Sequence, residues 1–197
     1  LQPIIVTTHL LLGMGLLALL AWLGARQTDH APVSQAAAAL RLPAVLAALL
    51  LTVQIALGGW VSSNYAALAC TDFPLCQGTL LPPMDFTHGF SLWRDLGKTA
   101  GGEFLPFAAL TSIHRVHRVF AFAVIALVAW LALKARKIDG LRKTARWLLA
   151  AIALQFATGV LTVYLDFPLA LAVIHNGGAA LLVLLLAMLT YKIRLAR

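Results

Sequence analysis

The chain has 197 residues, of which 61% are hydrophobic and only 11% charged, with a mean hydropathy of +0.90. Soluble domains carry roughly a quarter charged residues, so a water-soluble globule is excluded and the composition is that of an integral membrane protein. The net charge of +8 does not argue for nucleic acid as a partner, because the basic residues gather in short loops and at the C-terminus, as membrane topology demands. The chain opens Leu1-Gln2-Pro3, with neither an initiator Met nor a signal-peptide n-region, and an upstream segment is therefore expected.

About 20 apolar residues cross a hydrocarbon core of about 30 Å. Five stretches meet that requirement in chain order: Ile4–Gly24, Leu42–Val61, Ala109–Leu133, Ala145–Tyr164 and Leu169–Tyr191. The expected fold is all-α, a polytopic membrane protein with five transmembrane helices. Gly13 and Gly15 lie in the first stretch, Gly58 and Gly59 in the second, Gly177 and Gly178 in the fifth; small residues of this kind let membrane helices approach closely.

Loop charge sets the orientation, since Lys and Arg accumulate on the cytoplasmic side. The connection around residues 134–146 holds Lys134, Arg136, Lys137, Arg142, Lys143 and Arg146 against Asp139, and the tail holds Lys192, Arg194 and Arg197. Both are read as inside. The loop 62–108 holds Asp72, Asp85, Asp95 and Glu103 against Arg94 and Lys98, and Asp166 and Pro168 mark the last turn; both are read as outside. The first connection, with Arg26 and Arg41 against Asp29, completes the alternation, with the C-terminus cytoplasmic.

Ile113-His114-Arg115-Val116-His117-Arg118 places two histidines and two arginines at the head of an apolar span, and ionisable groups at membrane depth are costly and usually functional. His9, His117 and His175 fall about five, eight and six residues into their spans, so at 1.5 Å per residue all three sit roughly 8–12 Å below the outer surface. A lone intramembrane histidine is more often a hydrogen-bonded core residue; three at one depth suggest a layer. Aligning His9 with His175 without gaps superposes Leu16 on Leu182, Leu19 on Leu185, Leu20 on Leu186 and Ala21 on Ala187. Internal repeats of this kind divide a chain into units. Residues 1–41 then hold the last helix of a truncated preceding repeat with a cytoplasmic linker, and 42–197 a four-helix repeat. A smaller echo, Gln54-x-Ala56-x-Gly58 and Gln155-x-Ala157-x-Gly159, is read as helix–helix hydrogen bonding.

Two imidazoles facing each other across a four-helix bundle are suited to bis-axial ligation of a haem iron. Arg115 and Arg118 would then pair with haem propionates, and Gly177 and Gly178 would leave room for the macrocycle. Zinc competes as a reading but wants three or four close ligands. His114, three residues before His117, is an alternative ligand, a neighbour of the ligand, or an acid/base group. The long loop 62–108 carries Phe73, Phe86, Phe90 and Trp93 with Pro74, Pro82 and Pro83, which suggests an ordered cap on the outer face. Cys70 and Cys76 are the only cysteines and lie on the oxidising side, where a disulfide is expected; it is a staple or a redox-active pair, and a metal site with His88 is the remaining possibility.

Gly58-Gly59-Trp60-Val61-Ser62-Ser63-Asn64-Tyr65, the run Leu68 to Cys76, Met84-Asp85-Phe86, the His117-Arg118 pair and His175 together resemble the C-terminal half of the bacterial haem A synthase family, involved in cytochrome oxidase assembly. The resemblance covers 42–197, with the first span similar to the family's fourth helix. It implies an oxidoreductase of the bacterial cytoplasmic membrane that oxidises a methyl group of haem O to the formyl group of haem A. It implies haem b held by His117 and His175, with His9 lining the substrate-haem site. Haem O synthase and a homo-oligomer are implied partners. Because the family's first three helices have no counterpart here, the chain alone is expected to be inactive. Two other readings stay open, a bis-His membrane cytochrome that only transfers electrons and a cofactor-free membrane assembly or transport protein.

Overall fold

The computed structural model describes residues 1–196; Arg197, read above as part of the cytoplasmic tail, lies outside the described residues. Helix α1 (Pro3–Arg26) opens on a proline, tolerated in a first turn because that amide has no helical partner. A 3₁₀ stretch, Gln35–Leu40, is capped by Ser34, whose Oγ accepts from the Ala36 amide, and runs into α2 (Arg41–Ser63). The short α3 (Phe86–Gly89) is capped by Asp85. Helices α4 (Phe107–Ala135) and α6 (Leu169–Arg194) each begin directly after a proline, and α5 (Arg142–Tyr164) lies between them. Five of these helices are long and apolar enough to cross a membrane, and there is no β-strand among the described residues, only two isolated bridges.

The five expected spans fall inside the five long helices. Most ends run further than the hydrophobic stretch, as at Arg142 and Arg194, because a helix keeps satisfying its backbone where the chain leaves the apolar layer.

Helices α2, α4, α5 and α6 each pack on two neighbours and close a four-membered ring, while α1 lies outside it against α2 and α6. The core is built at helical spacing: Ala44, Ala47 and Leu51 on α2, Val124, Val128 and Leu131 on α4, Leu148 and Ile152 on α5, Leu182, Leu186 and Leu189 on α6. It fills the end of the bundle near Leu141 and leaves the opposite end for polar side chains. At Gly140 (φ 81°) an added Cβ would lie 2.7 Å from the Pro32 carbonyl. The α1–α2 and α4–α5 connections therefore meet on one side, as the alternating topology requires.

Glycine packing is more selective than expected. A Cβ on Gly59 would come 2.9 Å from Leu10 and 3.3 Å from Thr7, which makes Gly59 the point where α1 and α2 touch. Gly13, Gly15 and Gly177 meet nothing within 4 Å, so the close-approach reading is corrected for these three.

The loop between Ser63 and Phe107 is an ordered cap. Cys70 and Cys76 are joined in a disulfide. Asp72 accepts from the Gln77 and Gly78 amides through its two oxygens, each at 2.8 Å. The Trp60 indole Nε1 donates to the Gly89 carbonyl at 2.9 Å, and Ser112 Oγ donates to the Asp85 carbonyl at 2.9 Å. Arg94, 3% exposed, donates to Asn64 Oδ1 at 2.6 Å and lies over the Trp60 ring at 5.6 Å.

Candidate functional site

At the end of the bundle beneath this cap, α2, α4, α5 and α6 surround a cavity of about 280 Å³ whose polar lining includes Gln54, His114, His117, Arg118, Gln155 and His175. The rest of its wall is mostly aliphatic and aromatic, with Phe73 contributed by the cap. His117 and His175, on the second and fourth helices of the ring, are thus brought to one chamber.

Each histidine is held in the same way. The Gln54 amide nitrogen lies 3.2 Å from His117 Nδ1 and 3.5 Å from Nε2, and it donates to the His117 carbonyl at 3.2 Å. One helical turn on, a Cβ at Gly58 would sit 3.2 Å from His117 Cε1. Across the bundle the Gln155 amide nitrogen lies 3.2 Å from His175 Nε2, and a Cβ at Gly159 would sit 3.0 Å from His175 Cε1. Glutamine and glycine four residues apart share one helix face, so a single stretch of α2 or α5 both grips an imidazole and gives it room. The Gln54 and Gln155 side-chain oxygens are buried without a hydrogen-bond partner. Gly178 serves this arrangement too, since a Cβ there would collide with Gln155 Oε1. The echo expected to join helices does so, but through the histidine rings, a partner that sequence reasoning missed. Thr158, also missed, places its Oγ1 3.0 Å from His175 Nδ1.

The arginines face the cap. Arg118 directs Nη1 to the Asp72 carbonyl (2.7 Å) and the Leu75 carbonyl (3.0 Å), Nη2 to the Cys70 carbonyl (2.6 Å) and Nε to His114 Nε2 (3.1 Å). Its guanidinium is seated among carbonyls of the disulfide-closed turn. Arg115 Nη1 makes a single bond to the Pro74 carbonyl at 3.1 Å. His114, 4% exposed, has Nε2 occupied by Arg118, and its Nδ1 is buried without a partner.

His9 is not part of this group. It stands exposed on α1, whose buried residues are Pro3, Thr7 and Ala25, and it does not line the cavity. Among the described residues no three His, Cys, Asp or Glu side chains are placed to hold a metal ion together, and the disulfide removes Cys70 and Cys76 as thiolate ligands. Two imidazoles suit an axial pair and fall short of a tetrahedral zinc shell.

The Gly78 and Gln77 amides hold the Asp72 carboxyl below its ordinary value, and the His88 amide and ring do the same for Asp85, its Oδ2 lying 2.6 Å from His88 Nδ1. Burial lowers the Arg94 guanidinium from its usual value.

A family model described as COX15-CtaA, cytochrome oxidase assembly protein, matches residues 1–187. Curated bacterial proteins named Heme A synthase are similar along most of the chain. That of Shewanella oneidensis is 37% identical over 195 residues, covering 97% of this chain and 58% of its own length. That of Erythrobacter litoralis is 34% identical over 195 residues, 97% of this chain and 53% of its own. A third, from Methylobacterium nodulans, is 33% identical over 180 residues, 91% and 48%. The chain spans about half the length of the curated relatives it matches. With five apolar helices and bacterial relatives, it is a multi-pass bacterial membrane protein.

Proposed function

Because this chain belongs to the COX15-CtaA family of cytochrome oxidase assembly proteins, we propose that it is the haem b-binding part of a haem A synthase, the enzyme that oxidises the haem O methyl group to the formyl group of haem A. The observation that carries this reading is the pair His117 and His175, on facing helices of one cavity, each gripped by a glutamine over a glycine. The donor set fits a haem: two neutral imidazoles, an apolar wall and a glycine beneath each ring. A haem held by two histidines supplies one-electron transfer.

The chain's own residues bind and orient that group. His117 and His175 would hold its iron. Arg115, with one donor committed, has N–H groups to spare for a propionate. Arg118 donates four hydrogen bonds and keeps one N–H of five, so it contributes chiefly positive charge near the carboxylates and seats the cap. His114 orients Arg118 through its Nε2. His9 lines the substrate-haem site, which lies outside the four-helix ring; its exposure on the outward side of α1 supports this.

Methyl-to-formyl oxidation removes four electrons with four protons and takes its oxygen from water, so an external electron acceptor is required. Residues 1–41 are the last helix and linker of the first repeat, and 42–197 form the second. The basic α4–α5 connection and tail support a C-terminus on the cytoplasmic side of the bacterial inner membrane. Haem O synthase is the proposed source of the substrate.

Titration of the purified full chain with haemin tests this reading. One equivalent is expected to bind as a six-coordinate low-spin species, and the double substitution His117→Ala with His175→Ala is expected to remove binding. A wild-type chain that takes up no haemin, or a double variant that binds it equally, would overturn the assignment.

A further inference from the structure

The two histidines are held alike by their glutamines but differ in what else touches the ring. His175 has two partners that agree on one tautomer. Thr158 Oγ1 lies 3.0 Å from the Leu154 carbonyl and 3.1 Å from the Gln155 carbonyl, the ordinary back-bond of a helical threonine. Its single hydrogen is committed there, and its lone pair accepts from His175 Nδ1 at 3.0 Å. This bonding favours the proton on Nδ1 and the lone pair on Nε2, which matches the Gln155 N–H that approaches Nε2 at 3.2 Å. The opposite tautomer would set Nε2–H against an amide N–H, donor against donor. Thr158 is itself 4% exposed.

For His117 the only ring partner among the described residues is Gln54, an N–H donor 3.2 Å from Nδ1 and 3.5 Å from Nε2. Among the described residues no hydroxyl or carbonyl accepts from that ring. Iron ligation through Nε2 requires Gln155 to turn away from His175, and the ring then stays fixed through Nδ1. Gln54 lies nearer His117 Nδ1 than Nε2, but its amide must turn by half a revolution, bringing round an oxygen that is buried without a partner, before it can accept from Nδ1–H, whereas the Thr158 hydroxyl already stands in place as an acceptor.

We propose that His175 is the anchored ligand of this site and His117 the yielding one, with Thr158 the positioning residue that presents the His175 Nε2 lone pair to iron. The inference deepens the haem reading above and rests on it. A metal-bound imidazole that donates its other N–H to an acceptor is both oriented and made more basic. His175 would accordingly hold the iron more tightly than His117.

Haemin titration of the full chain in detergent, followed by absorbance and electron paramagnetic resonance, separates the possibilities. His117→Ala is expected to keep haemin as a five-coordinate high-spin species, and His175→Ala to bind about tenfold more weakly than His117→Ala or worse. Thr158→Val keeps shape and removes the acceptor; it is expected to weaken haemin binding about tenfold and to shift the reduction potential upward, because a less basic imidazole favours ferric iron less. Thr158→Ser is expected to restore both. Equal losses in the two histidine variants, the reverse order, or a Thr158→Val protein with wild-type affinity and potential would overturn the asymmetry while leaving the haem site standing. A wild-type chain that binds no haemin would overturn both.

Discussion

Arg118→Ala is the most direct test of how the cap is fixed to the bundle. The guanidinium makes three bonds of 2.6–3.0 Å to the carbonyls of Cys70, Asp72 and Leu75. Hydrogen bonds from a charged donor contribute about 1.5–3 kcal/mol each, so their loss amounts to at least about 4–5 kcal/mol before solvent responds. Two of these bonds are only partly buried, and water reaching those carbonyls recovers part of it. A net cost of about 2–4 kcal/mol for local opening remains, which corresponds to about 30- to 1,000-fold in the opening equilibrium. Hydrogen–deuterium exchange reads this at the amides of Cys76, Gln77 and Gly78, which donate within the turn to Thr79 and Asp72. Their exchange should accelerate by that factor. The amides of Thr99 and Leu105, bonded to Glu103 and Gly97 in the distal part of the cap, should not change. Unaltered protection at Cys76, Gln77 and Gly78 in a folded variant would refute the idea that Arg118 seats the turn.

Gly159→Ala and Gly58→Ala should each weaken haemin binding about tenfold, an overpacking cost of about 1–2 kcal/mol, because the new Cβ would press on His175 Cε1 at 3.0 Å or His117 Cε1 at 3.2 Å. Gly13→Ala, with nothing within 4 Å, is the control, and an equal effect there would remove the argument from ring contact. Acidification should release the Cys70–Cys76 turn late. The folded pKa of Asp72 is held below its ordinary value by the Gly78 and Gln77 amides, so its contribution is fully present above about pH 4 and is lost as pH falls through the lowered value. Protection of the Gln77 and Gly78 amides, corrected for intrinsic exchange, should hold from neutral pH to about pH 5 and fall only below about pH 4. Loss of protection already near pH 6 would contradict it.

The spans were legible because bilayer thickness sets their length, and each expected stretch falls within an observed helix. Which face of a helix turns inward was not legible. In a chain apolar all round, hydrophobicity carries no direction, and only polar residues mark the interior. Histidines and glutamines were therefore visible as intramembrane polar groups, while their pairing was not: Gln54 and Gln155 read as generic glue between helices. The glycines beneath the rings at Gly58 and Gly159 were visible as part of a repeat, yet their purpose depends on the rotation of a neighbouring helix. The two arginines were read as anion partners. Their main acceptors prove to be backbone carbonyls, which every residue possesses and which no sequence pattern distinguishes. Gly178 was read as space for a macrocycle, whereas a side chain there would meet Gln155.

The turn closed by Cys70–Cys76 acts on α4 as a detent. Arg118 follows His117 directly, and successive side chains on a helix point about 100° apart. A rotation of α4 that swung the His117 imidazole out of the chamber by one such step would also have to extract a guanidinium from three carbonyls. The cap thereby sets the azimuth of His117, to which it makes no hydrogen bond among the described residues.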